Sequence, residues 1–218
     1  MTKPRFDIHI HSNFSDGSPS VEQIAERTAA MRLRTIAITD HFWPSLGSQR
    51  GGIGMIKERR RRIERLREDH PDVRILDGAE IDILSNGGLA PIAGGPDQFD
   101  IVIGSVHWVS SPEQWASSLT KTLRKTRFDV LGHYDGYLTA YKEKEGKAVA
   151  EALSEAEVAV ELSLRYEPVY TEFLETARDA GCMFTLGSDS HNLDTIGKLD
   201  ELCGLAEALK LPILAFDV

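Results

Sequence analysis

Six of the seven histidines in this chain close an apolar, strand-like run: His9, His11, His41, His107, His133 and His191. In Phe6-Asp7-Ile8-His9-Ile10-His11 apolar and polar residues alternate with the period of a strand. His9 and His11 therefore project from one face and can hold a metal ion between them. The turn that follows, Ser12-Asn13-Phe14-Ser15-Asp16-Gly17, adds the carboxylate of Asp16. Near the other end of the chain Asp189-Ser190-His191 mirrors the opening pair, and Glu80-Ile81-Asp82 repeats the spacing with carboxylates. A single His-x-His also fits two surface histidines on an edge strand. Six imidazoles delivered to strand ends are hard to explain by packing. The seventh, His70, lies in a helix-to-strand connection, Glu68-Asp69-His70-Pro71-Asp72, and is assigned no role.

Collected, the strand-end residues are His9, His11, Asp16, His41, Glu80, His107, His133, Asp189 and His191. Three carboxylates and six imidazoles without a thiolate suit borderline divalent ions such as zinc, manganese or iron(II). Nine ligands exceed the needs of one ion and fit two or three that share a bridging carboxylate. Cations held in such a cluster can acidify a bound water.

The elements that must carry these residues alternate regularly. Strand-like runs end at His11, Asp40-His41, Glu80, His107, His133, Ser163 and Gly187, and helical patterns separate most of them. Ser20 is the expected cap of the first helix, and Gly181 the expected C-terminal cap of the helix over 169–180. A further short strand-like run closes the chain at 212–216. The helix over 57–69 contains Arg59-Arg60-Arg61-Arg62 interleaved with glutamates, read as a solvated outer face rather than a nucleic-acid patch. The alternation predicts a parallel α/β architecture, one domain over residues 1–218, in which strand C-terminal ends gather at one face.

The chain has 218 residues, 41% hydrophobic and 27% charged, with a net charge of -9. That composition gives one sizeable core and argues against a broad footprint for duplex nucleic acid. No apolar run approaches the ~18 residues of a membrane span. Cys182 and Cys203 lack a disulfide or ligand spacing, and residues 1–5 lead straight into the first strand without a signal peptide, so a cytoplasmic protein is expected.

In their order the motifs resemble the PHP family, the polymerase and histidinol phosphatase superfamily of metal-dependent phosphoesterases. The matching pieces are His-Ile-His-Ser with Ser-Asp-Gly, Ile-Thr-Asp-His, Gly-Ala-Glu-Ile-Asp, Ser-Val-His, Gly-His-Tyr-Asp and Gly-Ser-Asp-Ser-His, from residue 7 to residue 191. The resemblance implies a distorted TIM-like (βα)7 barrel and a di- or trinuclear centre. One ion would be held by His9, His11, Glu80 and Asp189, a second by Glu80, His107 and His133, and a third by Asp16, His41 and His191. Glu80, Asp189 and His191 would be catalytic, and a metal-activated hydroxide would attack phosphorus. The expected substrate is a small phosphomonoester such as histidinol phosphate. Alternatives are a phosphodiesterase or exonuclease acting on nucleotides or short oligonucleotides, a non-catalytic accessory module, and a C–N bond hydrolase of the related amidohydrolase type.

Three cations on loops at the site face are candidate phosphate contacts: Arg165, Arg50 and Lys142. For Arg165 the competing role is a surface pair with Glu167 or Glu172. Asp7, Asp40 and Asp82 are expected to back the ligand histidines.

Overall fold

The structure, a computed structural model, describes residues 4–42, 52–214 and 216. Seven strands and six helices follow one another: β1 (Phe6–Ile10), α1 (Val21–Met31), β2 (Thr35–Ile38), α2 (Ile53–Asp69), β3 (Arg74–Asp82), β4 (Ile101–Ser105), α3 (Pro112–Leu123), β5 (Val130–Leu131), α4 (Glu143–Glu155), β6 (Ala159–Ser163), α5 (Thr171–Asp179), β7 (Phe184–Gly187) and α6 (Asp200–Ala208). Among the described residues only the β3–β4 connection lacks an α-helix, and a 3-10 turn at Pro96–Gln98 stands in its place.

All seven strands are parallel and lie side by side in chain order. The outer two close on each other at their C-terminal ends, where Ile10, the last residue of β1, bridges Ser190 just past β7 and the His11 N–H donates to the Ser190 carbonyl at 2.8 Å. The sheet is therefore a nearly closed, distorted barrel in a single α/β domain, as the alternation of elements requires. Of the terminal stretch, the described residues 212–214 and 216 show one bridge, Phe184 to Ile213, and no eighth strand. Among the described residues no helix is long and apolar enough to cross a membrane.

Local sequence accounts for the element ends. Ser20 caps α1 in a capping box with Gln23, and Ser111 does the same for α3 with Gln114. Gly181, just past α5, takes φ +91°, the left-handed conformation that glycine reaches without strain.

One expectation fails. Arg59 is not on a solvated face but completely buried. Its Nη1 donates to Asp40 Oδ2 at 2.9 Å and its Nη2 to Asp77 Oδ1 at 2.5 Å and to the Gly78 carbonyl. Its guanidinium lies 4.6 Å from the centre of the Phe42 ring. The helical period explains the placement: Ile56, Arg59, Ile63 and Leu66 form one buried stripe of α2. Arg61 and Arg62 do face outward, paired with Glu58.

Candidate metal centre

The C-terminal ends of the strands converge on Glu80. Its Oε2 lies 3.2 Å from His9 Nε2 and 3.3 Å from both His11 Nε2 and His41 Nε2. Its Oε1 lies 3.4 Å from His107 Nε2 and 2.9 Å from His133 Nε2. Asp189 Oδ1 stands 3.2 Å from His11 Nε2 and 3.5 Å from His191 Nδ1. Asp16 bridges the same two histidines from outside, 3.6 Å from His11 Nδ1 and 3.1 Å from His191 Nε2. All nine strand-end residues named from the sequence thus meet in one place.

These separations fit metal coordination. Two nitrogens at about 2.0–2.1 Å from a tetrahedral ion stand roughly 3.3 Å apart, and the Glu80 Oε2 distances cluster at that value. His9 Nε2 and both ring nitrogens of His11 are buried without a hydrogen-bond partner, a costly state unless an ion completes them. Three groups can each surround an ion: His9, His11 and Glu80; His41, Glu80 and His107; His11, Asp16, His41 and His191. The grouping differs from the expected one in detail, because His11 and His41 each reach two groups.

Electrostatics points the same way. Burial presses the His9, His11 and His107 imidazoles toward neutrality, yet the surrounding carboxylates outweigh it. Glu161, Glu80 and Asp189 hold His9 well above its ordinary value, Asp189 and Glu80 raise His11 to about 9, and Glu80 with Asp82 raises His107 to about 10. His41, where burial prevails, falls to about 4. Glu80 is held well below the carboxylate range despite its burial, by His9, His41 and His107. Carboxylates that favour a positive charge on His9, His11 and His107 would favour divalent ions at the same positions.

Behind the ring nitrogens stand further carboxylates. Asp82 Oδ1 lies 2.8 Å from His107 Nδ1, as expected. The Nδ1 of His9 is held by Glu161 Oε1 at 2.8 Å, and Glu161 Oε2 accepts the His133 backbone N–H at 2.9 Å. Glu161 was not singled out from the sequence, although a lone carboxylate inside Val158-Ala159-Val160-Glu161-Leu162 was a usable signal. At Gly187 an added methyl would sit 2.0 Å from Glu161 Oε1, so β7 must pass this carboxylate as glycine. Removing one charge from this support, Glu161→Gln, is expected to weaken metal binding about 10- to 100-fold. Competition against a chromophoric chelator reads it, and an unchanged affinity would deny Glu161 the role.

Two expected partners of histidines do other work. Asp7 accepts backbone N–H groups from Ser188 and Gly197, both at 2.9 Å, and joins β1 to the loop after β7. Asp40 accepts from Ser12 N, Ser12 Oγ and Ser15 Oγ, each at 2.7 Å, and so shapes the turn that carries Asp16. His133 and Asp189 themselves adopt left-handed backbone, φ 25° and 50°, where few residues other than glycine settle.

A cavity of about 130 Å³ opens onto the cluster, its walls including Glu80, Asp189, His191, Tyr137, Arg165 and Tyr166. Among the described residues Arg165 makes no ion pair with Glu167 or Glu172, and its exposed side chain borders this cavity. Lys142 does not reach it: its Nζ is paired with Glu113 at 2.5 Å on the outer surface. That contact corrects the expectation for Lys142, whose position at the start of α4 directs it to α3. Arg50 lies outside the described residues. His70 ends α2, away from the cluster.

Known proteins share this architecture. Histidinol phosphate phosphatase of Lactococcus lactis, solved with zinc, L-histidinol and phosphate, has a TM-score of 0.74 at 20% identity over 97% of this chain and 96% of that one. The putative histidinol phosphatase of Listeria monocytogenes gives 0.69 at 14% identity, over 88% and 97%. In sequence, DNA polymerase/3'-5' exonuclease PolX of Bacillus subtilis is 28% identical over 197 residues, which are 87% of this chain and 35% of that protein. The probable phosphatase YcdX of Escherichia coli is 29% identical over 153 residues, 64% of this chain and 61% of that one. The chain thus spans about a third of the first relative and under two thirds of the second. The sequence pattern of the PHP domain matches residues 7–163, well over half of the chain and every strand from β1 to β6. This chain belongs to the PHP domain family of metal-dependent phosphoesterases.

Proposed function

We propose that the protein hydrolyses a small phosphomonoester, as a histidinol phosphate phosphatase does, with two or three zinc, manganese or iron ions. The observation that carries this reading is the buried Glu80 among five imidazoles at the floor of a small polar cavity. His9, His11, Glu80 and Asp189 would hold one ion, Glu80, His107 and His133 a second, and Asp16, His41 and His191 a third. Bound there, the ions would neutralise phosphoryl oxygens and supply a nucleophile from water at neutral pH.

The chain's own residues orient the ester. Glu80, Asp189 and His191 are the catalytic residues in this reading, because they serve the ions and border the cavity together. Arg165 clamps a non-bridging phosphoryl oxygen. Arg165→Ala is expected to lower kcat/KM about 10- to 1000-fold, roughly 1.4 to 4 kcal/mol, with metal content unchanged. Arg165→Lys should recover part of the loss, since a point charge lacks the two-pronged geometry. Steady-state kinetics at full metal loading decides it, and an unchanged kcat/KM would return Arg165 to the surface.

The likeness to PolX favours a second reading, a phosphodiesterase or exonuclease. A panel of monoesters, diesters and short oligonucleotides, given to metal-reconstituted protein, separates the two. Inorganic phosphate released from monoesters alone is the expected result. Mononucleotides released from an oligonucleotide would move the assignment to the second reading. A cytoplasmic setting is part of this reading, with Cys182 and Cys203 held as thiols rather than as a disulfide.

A further inference from the structure

The motif Gly132-His133-Tyr134-Asp135 gives His133 to the cluster and leaves its last two residues without a part in the site. Asp135 is buried, at 4% exposure, where an acid is costly unless its oxygens are well hydrogen-bonded. Its Oδ2 accepts two backbone N–H groups from the loop after β6, Val169 at 2.8 Å and Tyr170 at 2.9 Å. Beside it the Tyr134 hydroxyl donates to the Tyr170 carbonyl at 3.1 Å. Trp115 of α3 steadies the pair from behind, its Nε1 donating to the Tyr134 carbonyl at 2.9 Å.

The segment gripped in this way carries Arg165. It leaves β6 at Ser163, enters α5 at Thr171 and is pinned at both ends. At its start the Leu164 N–H donates to the Gly187 carbonyl at 2.9 Å, just before Asp189. At its end stands Asp135, just after His133. Among the described residues the one backbone hydrogen bond of 165–168 is a long one, from the Tyr166 N–H to Ser163 Oγ at 3.4 Å. The Tyr166 ring, 4.5 Å from the His133 ring, adds a contact without direction. Apolar burial does not hold the far end either, since the Val169 side chain is 71% exposed.

We propose that Asp135 is a positioning residue that sets the distance between the Arg165 guanidinium and the ions, so that one phosphoryl group meets both. Each pin stands two residues from an expected metal ligand, Gly187 from Asp189 and Asp135 from His133. Arg165 is thereby referenced to the centre itself rather than to the outer helices. The first pin belongs to the sheet, whereas the second rests chiefly on one carboxylate. A displacement of about 1 Å at such a contact can cost on the order of 100-fold in rate. The inference rests on the phosphatase reading and on Arg165 as its phosphate clamp.

The test compares four metal-loaded proteins: wild type, Asp135→Ala, Arg165→Ala and the double variant. Turnover is read with p-nitrophenyl phosphate, and binding by calorimetry with inorganic phosphate. Asp135→Ala is expected to lower kcat/KM about 10- to 100-fold at unchanged metal content, but less than about threefold when Arg165 is already alanine. Phosphate affinity should show the same non-additive pattern. Asp135→Asn keeps a neutral acceptor, should lose less than Asp135→Ala, and takes its place in the cycle if Asp135→Ala does not fold. Equal losses in both backgrounds, or no loss in either, overturn the positioning role and leave the phosphatase reading standing. A fall in metal content on Asp135→Ala overturns it as well, because the side chain would then act through His133. An unchanged kcat/KM in Arg165→Ala overturns it together with the clamp. No turnover by the wild type, with the non-additive pattern kept in phosphate binding, overturns the phosphatase reading and keeps the positioning role. Neither turnover nor phosphate binding overturns both.

Discussion

Glu80→Gln should abolish turnover, with a fall in kcat/KM of at least about 1000-fold, because several kcal/mol of phosphoryl charge stabilisation go with the ions. The amide keeps the shape of the side chain and removes its charge. In the structure both oxygens of Glu80 are used, Oε2 toward His9, His11 and His41, and Oε1 toward His107 and His133. No other carboxylate among the described residues faces five imidazoles. The variant should therefore also lose at least one bound ion. His70→Ala, at the end of α2, should leave activity near the wild-type level. Similar effects from the two substitutions, measured side by side, would mean that the cluster is not the seat of the reaction.

The second large effect concerns stability. Arg59→Met should cost about 3–5 kcal/mol, because removing one partner leaves buried carboxylates unpaired. Arg59 and Asp40 are both fully buried, and burial would raise Asp40 were it not for the Arg59 charge, which holds it below the ordinary carboxylate range. Asp77 keeps Arg60, so the uncompensated charge falls mainly on Asp40. Asp40 also organises Ser12 and Ser15, and the turn carrying Asp16 should loosen with it. Adding Asp40→Asn should recover part of the loss by removing the orphaned charge. Urea unfolding reads both variants. A loss below about 1 kcal/mol for Arg59→Met would be that of an exposed ion pair and would contradict the buried network.

Much of the site was legible because strand period and strand ends are local properties. His9 and His11 alternate with Phe6, Ile8 and Ile10, and every later ligand except Asp16, which sits in a turn, closes an apolar run, so their convergence followed from parallel topology. Features set by partners distant in sequence were harder to read. Nothing near Arg59 in the chain announces Asp77 or Asp40, and the charged neighbours Arg60, Arg61 and Arg62 masked its place on the buried stripe of α2. Glu161 was missed for a related reason: its partner His9 lies at the other end of the chain. Asp7 and Asp40 look like natural supports for the adjacent histidines, but strand alternation does not decide what a neighbouring loop will offer them. Backbone N–H groups of Ser188, Gly197 and Ser12 took them instead. Lys142 was read as a loop cation at the site face, and only the tertiary contact with Glu113 shows that it turns away.

Nine strand-end residues are proposed to form a multinuclear metal centre. Its most direct test is elemental analysis of the full-length protein, purified without chelator and dialysed against zinc or manganese. Two or three ions per chain are expected, falling by at least one in Glu80→Gln. One ion or none, after reconstitution of folded wild-type protein, would contradict it.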